Sequence, residues 1–302
     1  MHSSSAKPLG TGLLLAVVGS IAFSGKAIIV KLAYRYGVDA VTLIMLRMLF
    51  ALPIFAIMAW WASRGKPPLT RKDWLGVLGL GFTGYYLASF LDFAGLAYIS
   101  ASLERLILYL NPTLVMLLSW GLYQRKIKPI QMLGMATSYL GVGLVFGHEV
   151  AVQGLSERSN TALGALLVFA SAISYAIYLI YSGELVKRLG ALRLVGLATT
   201  VACLLCIAQF VVLCPMSAAL VAPEVLWLSL LNATACTAVP VLMVMMAIER
   251  IGSGLTAQTG MIGPMSTILM GVIILGEPFT LWVAAGTVLV IAGIVVFSRA
   301  KT

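Results

Sequence analysis

Charge is scarce in this 302-residue chain: ten acidic and twenty basic residues make up 10% of it, where a soluble domain is about one-quarter charged. That scarcity excludes a soluble enzyme or binding module, and 61% hydrophobic residues identify an integral membrane protein. Histidine is nearly absent. His2 lies in the polar start and His148 at a helix end, which excludes a histidine-based metal centre. Cys203, Cys206, Cys214 and Cys236 lie in or at the edges of apolar runs. The CxxC spacing of Cys203 and Cys206 has no redox or metal context, so they read as small core residues. No HExxH, GxSxG or GxxxxGK[ST] segment occurs, which argues against a membrane enzyme and against ATP-driven pumping. No pore-loop signature marks a channel, and no cofactor is expected.

What the chain does contain is apolar runs of membrane-spanning length, about 20 residues each. Ten spans are predicted at 10–31, 39–61, 74–97, 101–123, 129–148, 161–186, 192–214, 224–247, 254–275 and 279–297. Basic, proline-bearing loops at Arg64–Asp73 and Arg125–Pro129 separate some of them, Glu149–Asn160 is the longest polar insertion, and Gly276-Glu277-Pro278 marks a sharp turn. The start, MHSSSAKPLG, shows no small-residue cleavage site before Lys26, so a retained first helix is expected. Fourteen Lys and Arg fall on the side of the termini, and only Lys31, Arg35 and Arg158 in the opposite loops. Both termini are therefore expected to be cytoplasmic, in the plasma (inner) membrane. The net charge of +10 follows from the same loops, so the lipid bilayer and not nucleic acid is the expected partner.

The two halves are related. At an offset of 152, Gly12 falls on Gly164, Ile21 on Ile173, Leu103 on Leu255, Pro112 on Pro264, Gly134 on Gly286 and Gly141 on Gly293. That register predicts two domains, 1–150 and 151–302, each a repeat of five helices. An odd number of spans per repeat turns the second copy upside down, the architecture of carriers that rock about a site between repeats. The expected fold is an all-α membrane protein of ten transmembrane helices in two inverted five-helix repeats.

Arg47, the LAYISA segment 96–101, Pro112 and Pro264, LGEP at 275–278 and the glycines of spans five and ten carry a resemblance to the drug/metabolite transporter superfamily, EamA type. It covers nearly the whole chain and is specific for fold, not for substrate. Where that family usually has Gly-Glu at the end of the fourth span too, this chain has Gln124-Arg125. The resemblance implies a metabolite or amino-acid exporter.

Residues 84–112 concentrate the polar groups, and an ionisable side chain in a bilayer costs about 2.5–3.5 kcal/mol on insertion scales. Lys26, Asp92, Glu104, Arg105 and Arg47 lie at similar heights in the outer half of four spans. Three cations and two anions can compensate one another there. The functional reading is an outer gate; the bland one is static ties or snorkelling side chains, with Arg47 leaning structural. Tyr85, Ser89 and Asp92 share one face of span three, with Tyr86 adjacent. Span six carries Ser171, Tyr175, Tyr178 and Ser182, and span one Ser20 and Ser24. Facing a common cavity, these would form a polar and aromatic lining. Tyr178 takes the repeat position of Lys26. Asn111-Pro112 and Gly263-Pro264 are candidate bends that offer backbone to the cavity. Met243, Met245, Met246, Met261 and Met265 are either packing or an adaptable wall. The glycines of spans five and ten, at seven-residue spacing, suit a packing or dimer face.

The expected site is thus Tyr85, Ser89, Tyr86, Asn111, Tyr175, Tyr178, Met243, Met261 and Ser24, gated by the five charges. A carrier exporting amino acids or similar small amphipathic metabolites is the expected function. Uptake or exchange of another metabolite, cationic drug efflux and, further off, a membrane enzyme are the alternatives. Protons are a candidate coupling partner, and the chain is a monomer or homodimer.

Overall fold

The computed structural model describes residues 9–124, 128–152, 155–260 and 262–299, and among these every regular element is helical. The helices are α1 Leu9–Tyr34, α2 Ala40–Ser63, α3 Arg71–Leu80, α4 Ala88–Leu96, α5 Ala101–Leu108, α6 Asn111–Tyr123, α7 Pro129–Val152, α8 Leu155–Leu189, α9 Ala191–Leu213, α10 Pro223–Ala233, α11 Val239–Gly260, α12 Ile262–Met270 and α13 Leu281–Arg299. Wider π-helical turns at Gly81–Leu87, Thr234–Ala238 and Gly271–Leu275 join α3 to α4, join α10 to α11 and extend α12. Eight of the resulting segments are long and apolar enough to cross a membrane, and the shorter apolar helices Met265–Leu275 and Leu281–Val296 complete ten passes.

The ninth pass is established by its neighbours. Gly12 lies against Ile251, Gly19 against Met243 and Gly25 against Cys236, so that stretch runs antiparallel to α1. Ser24 then donates to Gly263 O, and Arg35 reaches Leu275 O, so the next stretch runs parallel to α1. The chain reverses between Ile251 and Gly263. At the polar insertion 149–160, α7 continues to Val152 and α8 begins at Leu155, so its described residues extend two helices.

The repeats are inverted, and one contact shows it. A Cβ on Gly141 would sit 2.6 Å from Gly286 O, and one on Gly293 would sit 2.5 Å from Gly134 O. Exchanging each residue for its mate 152 positions away turns one contact into the other, and the two helices, α7 and α13, are antiparallel. Only a two-fold axis in the membrane plane does that. These glycines therefore pack the fifth pass on the tenth within one chain, where small residues let backbones approach. Two of the three π-helical turns obey the same symmetry, since Thr234–Ala238 falls 152 residues after positions inside Gly81–Leu87, whereas Gly271–Leu275 falls on residues of the α-helix α6. Two left-handed helix caps, Gln124 (φ 52°) and Gly276 (φ 72°), obey it as well.

All six tryptophans, Trp60, Trp61, Trp74, Trp120, Trp227 and Trp282, are exposed, the amphipathic belt expected at both membrane interfaces. The proximal end of the bundle carries the start of α1 and the end of α13, and the distal end lies opposite.

Candidate functional site

The fourth pass is broken where its sequence demands it. Pro112 has no N–H to give Leu108 O; the Asn111 side-chain amide donates to that carbonyl instead, at 2.9 Å. Tyr109 and Leu110 form the turn between α5 and α6. The break leaves α5 as a short distal helix carrying Glu104 and Arg105. Asn111 Oδ1 stays buried with no hydrogen-bond partner among the described residues.

Four of the five expected charges meet around this helix. Lys26 Nζ on α1 pairs with Asp92 Oδ2 on α4 at 2.5 Å, with Asp92 only 2% exposed. The Glu104 carboxyl, fully buried, interacts with the neighbouring Asp92 carboxylate, and its Oε2 is 3.7 Å from Arg105 Nε. Arg47 stands beside them. Its guanidinium lies 5.2 Å from the centre of the Phe93 ring, which Lys26 also approaches at 5.9 Å. The negative face of that ring attracts both cations. Arg47 Nε donates to Thr237 Oγ1 at 3.3 Å, in the π-helical turn of the eighth pass. The height of these residues was legible in the sequence; their meeting was not.

Toward the proximal end the chemistry changes. Tyr85 and Tyr178 stack edge to face with centroids 5.2 Å apart and hydroxyls 3.1 Å apart. Tyr175 lies parallel to Tyr178 at 5.4 Å. Gly84 admits the Tyr178 ring, because a Cβ there would come within 2.3 Å of it. Tyr86 does not join them. It contacts Phe82 at 5.4 Å and packs into the core around Cys206, since successive helical residues point in different directions. Ser89 is half-buried on α4.

Ser24 faces the ninth pass: its hydroxyl, 1% exposed, donates to Gly263 O at 2.6 Å, beside the Gly263-Pro264 pair. It ties two helices. Ser171 and Ser174 do the same between the sixth and third passes, donating to Ala88 O and Thr83 O at 2.7 Å each. Met243 packs against Gly19. Met261 lies outside the described residues.

Sequence reasoning missed a distal vestibule of about 600 Å³, whose lining includes Lys31, Arg35, Ser100, Glu149 and Glu277. In the sequence Glu277 reads only as part of a turn and of the LGEP segment at 275–278. Its carboxylate accepts from Ala101 N at 2.7 Å, from Ser102 N at 3.2 Å and from the Ser102 hydroxyl at 2.7 Å. An anion belongs at that helix start, where the first N–H groups have no helical partner. Lys31 donates to Leu96 O and Ile99 O at 3.2 and 2.8 Å, and Ser100 bonds Glu149. The turn before α5 is thus held at once by the first pass, the fifth pass and the connection between the ninth and tenth. The one available signal was an acid directly after a glycine that ends a helix.

Known proteins bear on this geometry. A family model described as EamA-like transporter family matches residues 10–147 and again 162–299. The chain is 28% identical over 283 residues to "Uncharacterized transporter YcbK" of Bacillus subtilis (strain 168), covering 91% of this chain and 89% of that protein. It is 25% identical over 287 residues to "Uncharacterized transporter YetK" of the same organism, covering 93% and 83%. A solved crystal structure with 17% sequence identity superposes with a TM-score of 0.64 over 96% of this chain and 98% of its own, a likeness of fold.

Proposed function

The chain belongs to the EamA-like transporter family, a membrane transporter rather than an enzyme, and on that premise we propose that it exports amino acids or similar small amphipathic metabolites by alternating access. The observation that carries this reading is the pairing of a buried, nearly balanced charge cluster within the first repeat with a tyrosine cluster that joins the two repeats. A solute with an apolar body, an amine and a carboxylate matches both. The distal charges act as the outer gate and the tyrosines line the inner part of the passage. Basic side chains at the proximal end, among them Arg64, Lys66, Arg71, Lys72, Lys187 and Arg188, support a cytoplasmic placement of that end in the inner membrane.

A radiolabelled amino-acid panel in proteoliposomes tests the substrate class. Saturable flux of large apolar or aromatic amino acids is the expected result. Flux confined to organic cations would replace this reading with drug efflux. Protonation of Asp92 or Glu104 would loosen the gate, which makes protons the candidate coupling ion. Equal efflux from loaded vesicles with and without a pH gradient would remove that coupling.

A further inference from the structure

Six buried polar atoms of the distal cluster have no hydrogen-bond partner among the described residues: Nε and Nη2 of Arg105, Nη1 of Arg47, both carboxylate oxygens of Glu104, and Oδ1 of Asp92. Buried polar groups are bonded in about nine cases in ten or more, so donors and acceptors stranded side by side need a reason. They do not satisfy one another. Glu104 Oε2 stands 3.7 Å from Arg105 Nε, near enough for an ion pair and too far for a hydrogen bond. Residues adjacent on a helix do not face each other, so Glu104 cannot close onto the guanidinium squarely.

The atoms left open on Arg105 are specific. Nε and Nη2 form one edge of the guanidinium, a fork whose two N–H groups match the two oxygens of a carboxylate. The remaining cations are engaged, Lys26 by Asp92 and Arg47 by Phe93 and Thr237. With three cations against two anions, the cluster carries one surplus positive charge, which a carboxylate bound at Arg105 would balance. The open acceptors, both oxygens of Glu104 and Oδ1 of Asp92, belong to two neighbouring carboxylates and suit an ammonium.

We propose that Arg105 binds the carboxylate of the transported solute through its Nε–Nη2 edge, while Glu104 with Asp92 receives its amine. This rests on the amino-acid reading and assigns Arg105 as a recognition residue in addition to a gate. The carboxylate cancels the surplus charge, and the ammonium competes with Lys26 for Asp92. Solute entry thereby loosens the contact that holds α1 to α4.

The test uses proteoliposomes and three radiolabelled probes: L-phenylalanine, L-phenylalaninamide and 3-phenylpropionate. The wild-type protein is expected to prefer the acid to the amide by about tenfold or more, the scale of charge-assisted hydrogen bonds. In R105Q that ratio falls to near one. In E104Q it stays, and phenylalanine loses its advantage over 3-phenylpropionate. Should R105Q fail to fold by size exclusion, R105K keeps the charge and loses the fork, and is expected to lower affinity for the acid about tenfold. Amino-acid uptake with an unchanged acid-to-amide ratio in the Arg105 variants would overturn the assignment and leave the amino-acid reading standing. Uptake of 3-phenylpropionate but not phenylalanine, with the same Arg105 dependence, would uphold the carboxylate site and overturn the amino-acid reading. Equal uptake of acid and amide by the wild-type protein would overturn both.

Discussion

At the distal end Lys26 reaches from the first pass to Asp92 on the third; at its repeat position, nearer the proximal end, Tyr178 reaches from the sixth pass to Tyr85 on the third. The scaffold at the two places is the same by symmetry, π-helical turns included. Arg47 is replaced by Thr199 in the second copy, Asp92 by Val244 and Glu104 by Thr256. One contact is ionic and the other aromatic; in the proposed alternating access the first would respond to charge and the second to shape.

The sharpest way to break this contrast is to remove one ion. Lys26→Met leaves Asp92 without its paired cation, and a buried pair broken on one side loses about 3–5 kcal/mol. Unfolding in lipid should show that loss, and the double variant K26M/D92L should recover most of it, because replacing both charges is nearly neutral. A double variant as unstable as the single one would mean that Lys26 acts through something other than the pair.

The aromatic end should behave differently. Tyr178→Ala strips a buried ring and is expected to destabilise by about 3 kcal/mol and to impair transport, with folded protein retained. Tyr178→Phe loses one hydrogen bond, about 1 kcal/mol. Equal loss in both variants would make the hydroxyl, not the ring, the active part. Gly84→Ala pushes a methyl group into that ring and should cost about 1–3 kcal/mol as overpacking, read as a lower unfolding midpoint.

The smallest effect compares the two helix caps. Gln124 holds the left-handed conformation that its mate Gly276 adopts freely. Gln124→Gly should stabilise by about 1 kcal/mol, the strain of that conformation for a residue with a side chain. No gain in melting temperature would mean that Gln124 is held by contacts that offset the strain.

Span count, the repeat and the height of the charges were legible in the sequence, because each is a matter of spacing along one helix. Rotation about the helix axis was not. Tyr85 and Tyr86 were both expected in the lining, yet successive helical residues point apart, and one meets Tyr178 while the other meets Phe82. Ser24 read as a lining residue because its acceptor, Gly263 O, lies 239 positions away. Glu277 was missed for the same reason: its partners at Ala101 and Ser102 are remote in the chain, and local pattern carries no sign of them. The proline break in the fourth pass was legible, since Pro112 must release Leu108 O whatever surrounds it.

Alternation between the two closures is tested most directly by distances between spin labels in protein whose native cysteines have been replaced. One pair of labels, at Tyr36 and Val152, spans the distal end; the other, at Lys72 and Lys187, spans the proximal end. All four positions are exposed. Adding a transported amino acid is expected to lengthen one distance as it shortens the other. Both distances lengthening together, or neither moving while flux proceeds, would contradict a single passage closed in turn by ions and by tyrosines.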